Sequence, residues 1–280
     1  MSEQYLRRAE VHVTNKTGLK KIYADLRVMF EVNKTESSTA NSGKISIYNL
    51  SQISRSFVEE EELIVELFAG YRGRDDTNGT LELLFTGNIG LRGDGKVTSV
   101  RQGSEWVTTF ECGDGETELN NSHTELSFGT GVPFTAIVTQ LIRSLGLAIG
   151  SVVPVGESIA INGFTASGKT KDILDKLAKR FNFNWSVQNN AVQITREKIP
   201  TPEIAVILTP NNGLIGNVTK RENGIDFRAL LNPQITPGRA ISIVGSSEVL
   251  AGTFKTTKTK FFGDTHGADW FVAGEAVPII

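Results

Sequence analysis

The sequence predicts a mainly β chain with a small α+β part: two β-barrel domains flanking an α+β insertion. Three observations predict it. Short alternating strands separated by turn residues fill both ends of the 280-residue chain. The middle alone carries two apolar stripes of helical period. Phrases of the last block also echo phrases of the first.

"LRVMFEV" (Leu26 to Val32) and "KISIYNL" (Lys44 to Leu50) alternate with period two across a Ser/Thr/Asn-rich loop. A short helical turn is expected from Ser51. It leads into the acidic run Glu59 to Glu62, which reads as a solvated edge or as a charge-complementary contact. "LIVELFAGY" and "LELLFTGNI" flank an Asn78-Gly79 hairpin signal, and Asp94-Gly95 and Gly103-Ser104 mark turns before "EWVTTFEC". In that strand Trp106, Thr108, Phe110 and Cys112 share one face, so the only cysteine is expected to be buried and inert.

In "VPFTAIVTQLIRSLG", Phe134, Ile137, Val138, Leu141, Ile142 and Leu145 form one helical stripe, with Pro133 in the first turn and Gly146 placed to end it. A second helix, Thr170 to Phe181, puts Ile173, Leu174, Leu177, Ala178 and Phe181 on one face. Asp172–Lys176 and Asp175–Lys179 are spaced to pair on the other. "FNWSV" and "AVQIT" follow around an Asn189-Asn190 turn. Beyond Pro200 and Pro202 the chain returns to strands: "EIAVIL", "FRALL", "AISIV", "TFKTT" and "DWFVA". The domains so delimited are residues 1–122, 123–200 and 201–280, the last able to borrow strands from the middle. "LRVMFEV…SGKISIYNL" can be laid beside "FRALLNP…PGRAISIVG", and "FTGNI…GDG…EWVTT" beside "LAGTF…GDTHGADWFVA", as two copies of one barrel type.

Composition narrows the function. Lys+Arg 29 against Asp+Glu 31 gives no global basic field for gripping nucleic acid. Apolar runs are too short to span a bilayer, and the opening "MSEQYLRRAEVHV" lacks a secretory h-region, so folding in the cytosol is expected. A lone cysteine excludes internal disulfides and multi-cysteine metal sites, and His12, His123 and His266 are far apart.

One string points to chemistry. "GFTASGKT", Gly163 to Thr170, fits the phosphate-loop pattern at every fixed position: Gly163, Gly168, Lys169 and Thr170. A working loop needs a buried parallel strand before it and a second strand ending in Asp to hold Mg²⁺. "SIAIN" is short, and none of the later apolar runs ends in such an Asp. The match is therefore read as turn chemistry: Gly163 leaves a strand, Thr165 or Ser167 caps the next helix, Gly168 sits early in it, and Lys169 is solvated. No cofactor is expected. Asp264, His266 and Asp269 in "FFGDTHGADW" read as a loop between strands rather than a metal or acid–base cluster. No catalytic or metal site is assigned.

With chemistry set aside, "FEVNKTESSTANSGKISIYNLS", "VELFAGY" and "LLFTGNI" resemble the first barrel of baseplate hub proteins from contractile-tailed bacteriophages. "NNGLIGNVTKRENGIDFRALLNPQITPGRAISIV" and "FKTTKTKFFGDTHGADWFVAGEA" resemble the family's C-terminal part, and "FTASGKTKDILDKLAKRFNFNWSV" its short helix and strand pair. The resemblance implies two tail-tube-like barrels per chain and a homotrimeric ring of pseudo-sixfold symmetry, closed by head-to-tail contacts. Its implied partners are the hexameric tail tube protein, the central spike protein and other baseplate or tape-measure components. DNA would pass without sticking. The implied location is the virion, assembled in the host bacterial cytoplasm. A phage-derived injection particle, a nucleotide-dependent enzyme and a lytic or wall-binding tail component are the alternatives.

Overall fold

The computed structural model describes residues 6–60, 62–73, 79–90, 95–153, 159–245 and 251–279. Asn78, Asp94 and Glu61, which enter the turn and acidic-run expectations, lie outside them. The chain is mainly β. The first part contains β1 (Arg7–Thr14), β2 (Lys20–Tyr23), β3 (Val28–Thr35), β4 (Ser42–Tyr48), α1 (Gln52–Val58), β5 (Leu63–Tyr71), β6 (Glu82–Ile89), β7 (Lys96–Gln102) and β8 (Glu105–Gly113). The middle contains α2 (Glu116–Asn121), β9 (His123–Phe128), β10 (Val132–Pro133), α3 (Phe134–Leu145), β11 (Ala148–Val152), β12 (Ile159–Ala160), β13 (Phe164–Lys169), α4 (Thr170–Phe181), β14 (Asn184–Gln188) and β15 (Ala191–Thr195). The last part contains β16 (Val206–Leu208), β17 (Thr219–Arg221), β18 (Gly224–Leu230), β19 (Ala240–Ile243), β20 (Gly252–Asp264) and β21 (Trp270–Pro278).

The two β parts are joined. A single 14-stranded sheet runs β17-β18-β21-β20-β3-β4-β8-β6-β5-β1-β2, with β16 and β19 attached through β20 and β7 through β8. The join is the antiparallel pair β3–β20, in register from Thr35 opposite Lys258 to Met29 opposite Asp264. Gly263 sits there because a Cβ would strike the ring of Phe30, its partner across the seam. Period-two alternation sends Val28, Phe30 and Val32 inward, and one apolar core collects residues from both β parts, including Phe85, Phe110, Phe227 and Phe261.

The strand-for-strand duplication suggested by the sequence is kept only in part. β20 and β21 pair from Phe254 opposite Pro278 to Gly263 opposite Trp270, whereas β6 and β8, which carry the phrases laid beside them, meet only at Asn88 opposite Gly113. β3 and β4 are hydrogen-bonded neighbours, whereas their supposed counterparts part company. β18 pairs with β17 and β21, and β19 with β16 and β20. Matching apolar alternation fixes which side chains point inward, not which strand lies alongside.

The middle part has its own apolar core. All six stripe residues of α3 are buried, and Gly146 ends the helix at φ 81°. α4 buries Ile173, Leu174, Leu177 and Ala178 and ends at Asn182 with φ 52°. Asp175 accepts a 2.9 Å hydrogen bond from the indole of Trp185, so it ties α4 to β14 rather than serving only its own helix face. Ser51 caps α1 as expected, accepting from Ser54 N at 3.2 Å.

Leu141→Ala, at a fully buried position of α3, is expected to lower the unfolding free energy by about 2–5 kcal/mol in a urea titration. Lys176→Ala, on the exposed side of α4, should stay within about 0.5 kcal/mol.

Candidate functional site

The phosphate-loop string does not form a loop. Phe164–Lys169 is strand β13, paired antiparallel with β9 from Phe164 opposite Phe128 to Lys169 opposite His123. Its backbone groups are committed to a ladder along one side, and extended backbone does not converge its N–H groups on an anion. Gly163 closes a turn, donating to Ala160 O at 3.2 Å, and Lys169 is exposed. The capping expectation is corrected. Lys169 occupies the cap position with no side-chain cap bond, and Thr165, Ser167 and Gly168 belong to the strand. Thr170 is fully buried. Its hydroxyl meets those of Ser122 at 2.8 Å and Thr124 at 2.7 Å, tying the helix start to β9.

The other clusters singled out in the sequence make contacts within the fold. Asp264 receives Arg27 through Nε at 3.2 Å and a terminal nitrogen at 2.8 Å, and also the backbone N–H of His266 at 2.9 Å. It organises the β20–β21 turn, and the Arg27 bonds and backbone N–H groups outweigh burial to hold its carboxyl below the usual range. The acidic run faces the β1–β2 turn: Glu60 accepts from Asn15 at 2.6 Å and Glu62 pairs with Lys16 at 2.6 Å. Cys112 is buried, and burial with the nearby Asp114 and Glu116 pushes its thiol up to about 12. No group of three or more metal-ligating side chains occurs among the described residues.

Two features remain. The first is a buried polar latch at the β3–β20 seam. Lys34 continues the inward phase of Val28, Phe30 and Val32 and is 1% exposed. Its ammonium donates to Asn189 Oδ1 at 2.8 Å. Asp114, fully buried, accepts the backbone N–H groups of Asn189 at 2.6 Å and Asn190 at 2.7 Å. Both asparagines have positive φ, 54° and 59°, so the carboxylate clamps the tip of the β14–β15 hairpin. Asn41 donates to Val187 O at 2.6 Å, and Gln188 returns a bond to Thr35 O at 2.8 Å.

On the other side of the seam, fully buried Lys255 of β20 pairs with Glu36 and donates to Arg196 O, while Thr195 donates to the same Glu36. The hairpin is thus held by both β parts at once. Burial lowers the Lys34 ammonium to about 8, opposed by the charge of Asp114. Burial raises the Asp114 carboxyl, opposed by Lys34 and the two backbone N–H groups, and raises Glu36, opposed by Lys255.

The second feature is the outward face of the strands from β17 to β7. Glu111 receives Lys96 at 3.0 Å and Lys44 at 3.1 Å, and Glu31 receives Lys260 at 2.6 Å. Glu275 receives Arg221 at 2.6 Å and Lys258 at 3.3 Å, and Arg221 also meets Asp226 at 2.9 Å. The register explains the alternation: Lys96, Glu111, Lys44 and Glu31 stand opposite one another on β7, β8, β4 and β3. Lysine bonds hold Glu31 and Glu111 below the usual carboxylate range. Beside this ladder Phe262 stacks on Phe271 at 4.8 Å, and Arg228 covers Phe271 at 3.5 Å.

Two stability effects follow from the latch. Lys34→Met is expected to cost about 3–5 kcal/mol near pH 7, because it leaves Asp114 buried without its cation. The pH dependence is also specific. Between about 8, the folded value, and 10.5, the ordinary lysine value, the unfolded chain keeps a proton that folded Lys34 has released. The Lys34 contribution to stability therefore rises with pH across that window. Urea titrations from pH 7 to 10.5 should show this rise in the wild type relative to Lys34→Met.

No family model and no curated sequence matches the chain. Solved structures do. The 43 kDa tail protein of prophage MuSo2 from Shewanella oneidensis matches with TM-score 0.64 and 10% identity over 96% of this chain and 98% of that one. The tail protein from Neisseria meningitidis MC58 matches with TM-score 0.63 and 10% identity over 98% and 97% of the two chains. The E. coli c3393 protein, a type VI secretion component with structural similarity to the T4 tail proteins gp27 and gp5, matches with TM-score 0.57 and 11% identity over 91% and 74%. The chain has the fold of phage and prophage tail proteins.

Proposed function

We propose that this chain is the non-enzymatic hub of a contractile-tail baseplate, a homotrimeric ring that joins the hexameric tail tube to the trimeric spike and leaves a channel for DNA. The observation that carries this reading is the β3–β20 seam. It fuses two strand-built parts into one sheet, so each chain can offer two tube-facing units and three chains six. Tail proteins that share the fold over almost their whole length support it. The secretion-system likeness equally suits a hub in a phage-derived injection particle. Residues 1–122, 123–200 and 201–280 serve as tube-like barrel, connecting unit and second barrel, with α2 at the end of the first range packing Leu119 into the core of the connecting unit.

Light scattering on the purified chain, alone and with the tube and spike proteins of its own tail, tests the reading. A mass of three times 30.5 kDa, alone or once the spike is added, is expected. A stable monomer indifferent to both partners would contradict it. ATP binding measured by calorimetry tests the phosphate-loop alternative. The wild type and Lys169→Ala should be alike and show no micromolar affinity, and micromolar binding lost in the variant would reverse the conclusion.

A further inference from the structure

We propose that the outer side of α4 and the aromatic cluster at its end form a docking surface for an acidic segment of a partner protein, one that carries apolar side chains beside its carboxylates. The proposal does not depend on the hub reading. Lys169, Lys171, Lys176, Lys179 and Arg180 cap or lie on α4, against only Asp172 and Asp175. Lys171 is half-buried and the other four cations are exposed. Spacing alone would pair Asp172 with Lys176 and Asp175 with Lys179. Those pairs do not form. Asp175 accepts from the indole of Trp185 at 2.9 Å, and none of the five cations has an ion pair among the described residues. The sheet treats its cations differently: Lys44, Lys96, Lys258, Lys260 and Arg221 each meet a carboxylate within 2.6–3.3 Å. Lys169 and Lys171 also stand at the positive end of the helix dipole, where a cation weakens a helix. Their placement gains α4 nothing and leaves its outer side positive.

The positive side runs into apolar surface. Phe181 at the end of α4 meets Phe134 at the start of α3 at 4.3 Å. Phe164 lies 5.8 Å from Phe134 and 6.4 Å from Phe128. Arg180 bridges the two regions, over Phe134 at 5.5 Å and Phe181 at 5.4 Å. Pro133, one residue before Phe134, stands opposite Ile159, which is 49% exposed, and Ile161 beyond it is 76% exposed. Arginine set among aromatic and aliphatic side chains is the composition of protein-binding patches. The partner's chemistry follows from charge complementarity: carboxylates for Lys176, Lys179 and Arg180, and a Leu or Phe side chain for the shoulder at Ile159 and Ile161. Nucleic acid fits less well. Bases stack on uncovered aromatic faces, and Arg180 already occupies a face of two of these rings.

The test uses the full chain and three fluorescent probes read by anisotropy. The first is a synthetic peptide of about sixteen residues in which Glu and Asp flank Leu and Phe anchors. The second is the same peptide with Gln and Asn for Glu and Asp, and the third is a DNA duplex. The wild type should bind the acidic peptide saturably at low salt and the neutral peptide at least about tenfold more weakly. K176E/K179E and I159S/I161S should each weaken the acidic peptide by about tenfold or more. All four positions are exposed, so both variants should fold, as circular dichroism will verify. K176Q/K179Q should show a smaller loss in the same direction, without adding like charge beside Asp172 and Asp175. A control, K198E/K220E, makes the same change in net charge at exposed positions off α4 and should bind as the wild type does. No saturable binding of the acidic peptide, equal binding of the neutral one, unchanged binding in either α4-side variant, or an equal loss in the control would each overturn the proposal. Tighter binding of the duplex than of the acidic peptide would do so too, by making the surface a nucleic-acid site.

Discussion

The structure depends on charge placed where charge is costly. Lys34 and Asp114 on one side of the β3–β20 seam, and Lys255 and Glu36 on the other, are withdrawn from water and satisfied almost entirely by the β14–β15 hairpin and its approaches. Isolated, such groups would cost several kcal/mol each. They are tolerable only when the hairpin tip presents two backbone N–H groups and an amide oxygen at fixed positions. The latch therefore specifies a docking geometry more than it adds stability. Displacing the middle unit by one residue would strand an ammonium and a carboxylate together.

That constraint explains how an α+β unit with its own core becomes part of a larger body. The strand ladder at the seam joins the two β parts to each other, and the latch joins the insertion to both. Hydrogen-bonded buried charge resists sliding better than apolar contact does, so the latch fixes the middle unit in one position against both β parts. The outward face shows the opposite use of charge: the same residue types, exposed and paired laterally, shape the surface's interactions and leave the fold nearly indifferent.

Local order was readable wherever one chain segment determines its own structure. The six-residue stripe of α3, the end of α4 at Phe181 and the Asn189-Asn190 turn all follow from spacing and backbone preference. Partners remote in sequence were not readable. β13 becomes a strand because β9 lies beside it, and nothing in "GFTASGKT" announces that pairing. Helix α2 carries no such signature, because its six residues bury only Leu119 and show no stripe. The latch does leave a signal in the sequence. Lys34 falls on the apolar phase of Val28, Phe30 and Val32, and Asp114 on that of Phe110 and Cys112. A charge on the inward phase of a strand must meet a partner, although the sequence does not say which.

The most direct measurement of the central claim is native-state hydrogen exchange at the Asn189 and Asn190 amides, which donate to Asp114. A tip clamped by a buried carboxylate should exchange only when the seam opens, as slowly as the β3–β20 ladder. Protection at both sites should vanish in Asp114→Ala. Exchange at the rate of an ordinary exposed turn, with the ladder still protected, would show that the hairpin is merely resting on the seam and that the latch does not unite the molecule.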